Sequence, residues 1–260
     1  MNPLVEFAVH AAVAAGENAA RIRQGGVVAE TKPDASPVTI ADRSNEQLIR
    51  EMIEREYPED GLFGEEGARK TGASGRTWVI DPIDGTRDFV RGNRFWCVLV
   101  ALVDASLDPI AGVAHFPMLG ETYAAARGEG AFRNGERLSA SNIASLDKAV
   151  FSPNGMHQMA PEPYAPALLN YLSKTWSVRS FGGALDACML AAGQVDIWLE
   201  RKAEPWDLAP LRLIIEEAGG RYFALNGTRR IDAGNAVACT PALEAEVRAF
   251  FGIPTSAGLL

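Results

Sequence analysis

A short apolar segment that runs directly into an acidic, glycine-containing motif constrains the fold of this chain most. Trp78-Val79-Ile80 has the composition of a buried strand, and we expect that strand to stop at Asp81. The motif that follows reads Asp81-Pro82-Ile83-Asp84-Gly85-Thr86-Arg87-Asp88-Phe89. Proline stiffens the turn, and glycine lets the backbone approach a ligand closely. The chain must therefore fold so that two carboxylates stand where a buried strand ends.

These carboxylates suit a hard divalent cation. Mg²⁺ prefers carboxylate, carbonyl and water oxygens, and Asp81, Asp84 and the Ile83 carbonyl offer such donors. If a helix starts after the motif, the amides of Gly85 and Thr86 face an anion. Taken alone, the same motif also fits an ordinary turn rich in Asp and Gly, so further observations must decide.

Two other acidic clusters favour the metal interpretation. Phe63-Gly64-Glu65-Glu66-Gly67 places two carboxylates in a glycine-bounded turn, which alone also fits a solvated surface turn. Pro205-Trp206-Asp207 places an Asp at the start of an apolar helix, where Asp is also a good N-cap. Together, the three clusters provide enough carboxylates for a site that binds two or three metal ions.

The rest of the chain mixes helices and strands without strict alternation, which predicts an α/β (α+β) layered fold. Apolar periodicity predicts helices over 3–24, 42–57, 160–173, 183–192, 208–218 and 242–251. Strands are expected over 97–103, 110–115, 121–125, 195–199, 221–225 and 236–240, and from Val150 onward. We expect a loop or hairpin over 26–41, a mobile loop over 64–75, a turn at Asn134-Gly135 and a helix end at Gly219-Gly220.

Composition narrows the function classes. Apolar residues make up 47% of the 260 residues, which indicates a globular protein. The net charge of −8 disfavours nucleic acid as a partner. The longest apolar run, 95–103, is far short of the ~20 residues that a bilayer requires, and the N-terminus does not resemble a signal peptide. Cys97, Cys188 and Cys239 lie far apart, which favours reduced thiols and a cytoplasmic location.

The acidic motifs together resemble those of the inositol monophosphatase family, whose members are Mg²⁺-dependent, lithium-sensitive phosphomonoesterases. The resemblance covers nearly the whole chain. It is carried by Ser36-Pro37-Val38-Thr39 with Ala41-Asp42, Glu65-Glu66, the 81–89 motif, Gly128-Glu129-Gly130-Ala131-Phe132 with Asn134-Gly135, and Trp206-Asp207 followed by Glu216-Glu217-Ala218-Gly219-Gly220. It implies a layered αβαβα sandwich and a homodimer. We expect residues 1–260 to form one unit, with subdomains of about 1–145 and 146–260.

The resemblance also implies roles for individual residues. Glu65, Asp81 and the Ile83 carbonyl would hold a first Mg²⁺, and Asp81, Asp84 and Asp207 a second, with a third ion also compatible. Thr86, paired with Asp42 and close to Glu65, would orient or deprotonate the attacking water. For Asp42, capping the following helix is the alternative. The expected phosphate- and substrate-binding residues are Gly85, Thr86, Gly183, Ala184, Asp186 and Glu200.

The substrate is less constrained. Asp42-Arg43, Asn45-Glu46 and the 85–92 segment resemble the histidinol-phosphate phosphatase branch of the family. The segment from Ala184 to Glu200 resembles the inositol monophosphatase branch, in which the residues matching Asp186 and Glu200 bind ring hydroxyls. The histidinol branch typically has an Asp where Gly183 stands. We therefore expect a polyol or sugar monophosphate such as inositol 1-phosphate, with histidinol phosphate as the alternative.

Several other interpretations stay open from the sequence alone. Bisphosphorylated nucleotides and fructose 1,6-bisphosphate are less favoured substrates. A non-catalytic phosphate- or protein-binding homologue is the rival class, which the intact acidic set argues against. Arg201 and Lys202 could pair with Glu200 and change its role. His10, His115 and His157 lack the spacing of metal ligands, so we expect them to be structural.

Overall fold

Fifteen β-strands form three sheets within residues 2–32 and 37–254, the part of the chain that the computed structural model describes. The strands are Ala29–Thr31 (β1), Pro37–Thr39 (β2), Gly61–Gly64 (β3), Arg69–Lys70 (β4), Thr77–Asp84 (β5), Cys97–Val103 (β6), Pro109–Phe116 (β7), Glu121–Ala126 (β8), Gly130–Arg133 (β9), Glu136–Arg137 (β10), Val150–Asn154 (β11), Ser177–Val178 (β12), Ile197–Glu200 (β13), Arg221–Phe223 (β14) and Ala236–Cys239 (β15). β1 and β2 form a small antiparallel pair. The strand order is β10-β9-β8-β7-β6-β5-β3-β4 in the large sheet and β12-β11-β13-β15-β14 in the smaller one.

The α-helices of the described residues are Pro3–Gln24 (α1), Ile40–Glu56 (α2), Thr86–Arg91 (α3), Ala165–Leu172 (α4), Gly183–Ala191 (α5), Pro205–Glu217 (α6) and Glu244–Phe251 (α7). They stack with the sheets in alternating layers. Helices α1 and α2 cover one face of the large sheet, and α6 lies on its other face beside α5. Helices α5 and α6 also contact the smaller sheet, whose far side packs against side chains of α4 and α7. This arrangement confirms the predicted layered αβαβα sandwich.

Several predicted boundaries differ from the structure. Helix α2 begins at Ile40 rather than residue 42, because Thr39 is its N-cap and accepts a 3.1 Å hydrogen bond from the Ala41 amide. Helix α4 begins at Ala165 rather than residue 160, since Pro161 and Pro163 disfavour helical backbone in the residues before them. Helix α6 starts three residues earlier than predicted, with Pro205 at its first position.

The predicted loop over 64–75 contains the two-residue strand β4, which pairs with β3. Ser36, part of the N-terminal motif, lies outside the described residues. The division into subdomains near residue 145 remains a prediction. Among the described residues, no helix has both the length and the apolar character needed to cross a membrane.

A close approach of α6 to the large sheet depends on a glycine. A Cβ atom at Gly112 of β7 would lie 2.8 Å from Pro210 Cα and 3.1 Å from the Pro210 carbonyl oxygen. At the far end of the helix, Glu217 accepts 2.7 Å hydrogen bonds from the amides of Gly128 and Gly130. The β8–β9 turn is thereby fixed to the end of α6. Helix α6 is thus held firmly along its length, which matters because its first turn carries Asp207.

Candidate active site

The predicted acidic clusters meet at one edge of the large sheet. Strands β3 and β5 are parallel neighbours, so their carboxyl ends lie side by side. Glu65 follows β3 directly, and its amide donates a 3.1 Å hydrogen bond to the Ile80 carbonyl of β5. The pairing explains how two motifs separated in sequence come to face one cavity.

Strand β5 does not stop at Asp81, as we expected from the sequence, but continues to Asp84. Asp81 pairs with Leu99 and Asp84 with Cys97, with an irregularity in register between them. In a regular strand, residues three apart point to opposite faces. Here the carboxylates of Asp81 and Asp84 meet that of Asp207, and one oxygen from each lies within 4.8 Å of the others.

Asp207 lies in the first turn of α6 rather than at its cap. Its Oδ2 accepts a 2.8 Å hydrogen bond from the amide of Glu204, the N-cap residue. The amino end of the helix also favours a negative charge. The sequence alternative of a pure N-cap is therefore replaced by a side chain that both supports the cap and reaches the acidic cluster.

Burial and mutual repulsion raise the pKa values of the three clustered carboxyl groups. Burial raises the pKa of Asp207 to about 8, with the charge of Asp84 as the next cause. Burial, then the charge of Glu65, raises the pKa of Asp84 to about 6. The pKa of Asp81 is raised well above its usual range, first by burial and then by its acidic neighbours. Hard oxygen donors whose charges repel one another are what a divalent cation binds, so this donor set fits Mg²⁺.

Thr86 and Asp42 form a hydrogen-bonded pair beside this cluster. Thr86 Oγ lies 3.2 Å from Asp42 Oδ1 and 3.1 Å from the Ile83 carbonyl oxygen. The other oxygen of Asp42 accepts hydrogen bonds from the Thr39 amide at 2.8 Å and the Thr39 hydroxyl at 2.6 Å. Asp42 thus combines both sequence interpretations, since one oxygen serves the capping box of α2 and the other faces Thr86. Burial is the main cause that raises its pKa.

A lysine that the sequence analysis missed sits on the Glu65-Glu66 turn. Lys32 Nζ lies 2.8 Å from Glu65 Oε1 and 2.5 Å from Glu66 Oε1. Burial opposes its charge, yet the hydrogen bonds to both glutamates raise the pKa of Lys32 above its usual range. A single Lys in a loop gives no local signal, so only the fold could reveal this contact.

A cavity of about 750 Å³ opens over the cluster. Of the predicted site residues, its wall contains Glu65, Asp81, Ile83, Asp84, Gly85, Thr86, Gly183, Ala184, Glu200 and Asp207. Asp42 stands behind Thr86. The wall also includes Lys32, Asn154, Gln158 and Trp198, which the sequence did not indicate as site residues. Lys202, which we considered as a partner of Glu200, and His157, which we expected to be structural, line it as well.

Asp186, predicted to contact substrate, lies behind the cavity wall. It is completely buried in α5. Its carboxylate accepts hydrogen bonds from Asn154 Nδ2 at 3.0 Å and from the amides of Phe181 and Gly182. The chain itself therefore uses the oxygens that a ring hydroxyl would need.

Glu200 does reach the cavity, and its position explains Gly183. A Cβ atom at Gly183 would lie 2.5 Å from Glu200 Oε2, so the carboxylate occupies the space where a side chain at 183 would begin. Arg201 pairs with Glu162 at 2.5 Å instead of with Glu200. Burial, then the charges of Asp84 and Asp207, raises the pKa of Glu200 well above its usual range. The site therefore offers a half-buried carboxylate beside the amino end of α5.

Comparisons with known proteins agree with this geometry. A family model described as "Inositol monophosphatase family" matches residues 1–250. A histidinol-phosphatase of Mycobacterium tuberculosis is 40% identical, over 84% of this chain and 85% of that protein. The Nus factor SuhB of Pasteurella multocida is 34% identical, over 95% of both chains. A solved IMPase structure from Thermotoga maritima has a TM-score of 0.85 and 31% identity, and covers 97% of both chains.

Proposed function

Because the chain belongs to the inositol monophosphatase family, we propose that it is a phosphomonoesterase that uses Mg²⁺ to hydrolyse a small phosphate monoester. The convergence of Asp81, Asp84 and Asp207 beside the Thr86–Asp42 pair is the observation that carries this proposal. Two or three cations would be held by the carboxylates of Glu65, Asp81, Asp84 and Asp207 and by the Ile83 carbonyl. Bound there, the cations would neutralise charge on the phosphoryl oxygens and make a water molecule more acidic.

The chain's own groups supply the proton path. A hydroxyl has one proton, so Thr86 donates either to Asp42 or to the Ile83 carbonyl at any moment. When it donates to Asp42, its lone pairs can accept the proton of the attacking water. Asp42 holds the negative charge that drives this transfer, because a threonine hydroxyl alone is a weak base.

The amino end of α5 supports the arrangement from the opposite side. The Ala184 amide donates a hydrogen bond to Asp84, which orients this carboxylate. Gly85 has a φ of +84°, a backbone conformation that a side chain would strain, and it brings Thr86 into position after β5. Phosphoryl transfer depends on positioning and charge neutralisation, and these backbone groups provide the positioning.

We propose histidinol phosphate, or a similar amino-alcohol phosphate, as the substrate, in place of the polyol expected from the sequence. The Glu200 carboxylate, which accepts a hydrogen bond from the Lys202 amide and lines the cavity, suits an ammonium group, whereas Asp186 is fully buried and hydrogen-bonded within the chain. The missing Asp at 183 no longer argues against this substrate, since Glu200 brings a carboxylate to that place. Histidinol-phosphatases at 36–40% identity support the choice.

Inositol 1-phosphate is the second candidate, because Glu200 can also accept hydrogen bonds from hydroxyl groups. The likeness to the Thermotoga maritima IMPase supports it. Lithium inhibition, a homodimer and a cytoplasmic location also remain predictions from the family resemblance and the sequence.

Phosphate release with Mg²⁺ tests these proposals on four substrates: histidinol phosphate, inositol 1-phosphate, fructose 1,6-bisphosphate and adenosine 3′,5′-bisphosphate. We expect kcat/KM to be at least ~10-fold higher for histidinol phosphate, or about 1.4 kcal/mol of transition-state binding. Glu200→Gln should reduce this advantage, while hydrolysis of a histidinol phosphate analogue without the amino group, added as a fifth substrate, should change little. A preference for inositol 1-phosphate would instead support the second candidate. No release from any substrate, with Mg²⁺ still bound, would favour a non-catalytic homologue.

A further inference from the structure

The turn that carries Glu65 is held from both sides by charged residues that do not line the cavity. Residues 64–68 form a tight connection between β3 and β4, closed by a 2.8 Å hydrogen bond from the Gly64 amide to the Ala68 carbonyl. Glu65 and Glu66 lie on this turn. Lys32 binds the carboxylates of both glutamates. The backbone of the turn sets where these two side chains begin, so the position of the Glu65 carboxylate also depends on how firmly the turn is fixed.

Glu46 holds the turn from beneath. It lies on α2 with only 6% of its surface exposed, and its two carboxylate oxygens accept 2.7 Å hydrogen bonds from the amides of Glu66 and Ala68. Hydrogen bonds to a buried charged acceptor are among the stronger ones in proteins. Its carboxylate also fills the space where a side chain at Gly64 would begin.

Arg69 holds the same turn from outside. Its guanidinium donates hydrogen bonds to the carbonyls of Gly64 and Ala68 and lies 4.2 Å from the centre of the Phe63 ring. Phe63 in turn packs against Trp206 with 5.3 Å between ring centres, next to Asp207. Amides on one side and carbonyls on the other are thus bound by opposite charges.

We propose that Glu46 is a positioning residue for Glu65: by fixing two amides of the 64–68 turn, it holds the Glu65 carboxylate in place for a cation, and Arg69 completes this clamp. The inference rests on the proposed role of Glu65 as a metal ligand. Glu46→Gln keeps the shape but removes the charge and places an amide N–H₂ against one of the backbone donors.

Asp60 provides a matched control. It is a carboxylate with 1% exposure beside the same sheet, and it accepts 3.0 Å hydrogen bonds from Trp78 Nε1 and Arg76. It has no contact with the 64–68 turn among the described hydrogen bonds. Asp60→Asn should therefore lower the melting temperature much as Glu46→Gln does, without affecting cation binding.

Mn²⁺ binding, followed by electron paramagnetic resonance without substrate, is the decisive measurement. We expect Glu46→Gln to weaken Mn²⁺ binding at the Glu65 site ~10-fold, as the loss of groups that orient metal ligands commonly does. kcat should fall more than KM rises. Asp60→Asn should bind Mn²⁺ like the wild type. Equal weakening in both variants, or none in Glu46→Gln, would overturn the proposal.

Two more variants keep the test informative. If Glu46→Gln does not fold, Arg69→Leu tests the exposed side of the clamp, and we expect ~3-fold weaker Mn²⁺ binding; wild-type binding would contradict the clamp. Glu65→Gln distinguishes a failure of the proposed metal site from a failure of the positioning role of Glu46. If it binds Mn²⁺ normally, the proposed metal site is wrong and the positioning role falls with it. If it weakens binding but Glu46→Gln does not, only the positioning role fails.

Discussion

Asp84 shares a small volume with two other carboxylates, so its charge destabilises the cation-free protein, whereas as the metal ligand that we propose it would serve the reaction. We predict that Asp84→Asn lowers kcat at least ~100-fold, because it removes a charged oxygen donor from the cluster. The melting temperature without Mg²⁺ should stay the same or rise, since the repulsion raising the neighbouring pKa values is relieved. Steady-state kinetics and thermal unfolding measure the two effects. More than half of the wild-type activity in this variant would refute the ligand assignment.

The titration of the buried His115 should lower stability at mildly acidic pH. It packs against Gly16 of α1, and its Nδ1 lies 2.9 Å from Thr122 Oγ1. Burial lowers its pKa from 6.5 to about 4. Between these values the unfolded chain binds a proton that the folded protein does not, so stability falls as pH drops below ~6.5.

We therefore predict that wild type loses about 2 kcal/mol more unfolding free energy than His115→Gln between pH 7.5 and pH 5. Urea unfolding at both pH values, in saturating Mg²⁺ so that the carboxylate cluster is neutralised, measures this difference. Parallel pH profiles for the two proteins would show that His115 does not titrate as its burial implies.

At this scale the sequence indicated residue types better than residue contacts. The carboxylates at 65, 81, 84 and 207 were predicted from motifs, because each follows or begins an apolar element. The complete burial of Asp186 could not be foreseen, since its partners at 154, 181 and 182 depend on how β11 meets α5. The contact between Lys32 and Glu65 was equally invisible.

The close packing of strand β7 against helix α6 should make the stability of the protein sensitive to a side chain at Gly112. Gly112→Ala would force the new methyl group against the backbone of Pro210, which cannot move without displacing the helix. We predict a loss of about 2 kcal/mol in unfolding free energy. Gly25→Ala is the control, because Gly25 has an ordinary φ of −77° and a Cβ there would meet only the Ile22 carbonyl oxygen, at 3.3 Å, so its effect should stay within about 0.5 kcal/mol. Equal stability of both variants in urea would contradict this packing argument.

Element boundaries were harder to predict than element types. Helix α1 and strand β6 have the bounds that periodicity predicted, because each has a continuous apolar face and a clear end. Strand β5 was predicted too short, since an acidic residue usually ends a buried strand. Pairing with β6 carries it on through the irregularity between Asp81 and Asp84, and that depends on a partner strand the local sequence does not show.

Across the whole molecule, the cavity links cation binding to stability. Carboxyl groups with folded pKa values of about 6 and about 8 lose their stabilising protons as pH rises through those values, so the cation-free protein should weaken toward pH 8.5. A bound cation removes this repulsion. We predict that saturating Mg²⁺ stabilises the protein by at least ~2 kcal/mol more at pH 8.5 than at pH 5.5.

Thermal unfolding with and without Mg²⁺ at the two pH values tests this prediction. Asp207→Asn is the control, because it removes the group with the larger pKa shift, and it should shrink the difference. A Mg²⁺ effect that does not depend on pH would show that repulsion in the cluster is not what the cation relieves. The layered architecture was predictable because family resemblance and mixed periodicity agree, whereas the electrostatic coupling required the assembled layers.

The contact between Gly183 and Glu200 affects how related sequences should be compared position by position. In the observed conformation, the Glu200 carboxylate occupies the space where a side chain at 183 would begin, so a side chain at 183 would require Glu200 to move. If Glu200 binds substrate as we propose, comparing position 183 by itself would miss a binding group that another part of the chain supplies. On that proposal, substrate preference depends on which side chain fills this volume and not on residue 183 alone.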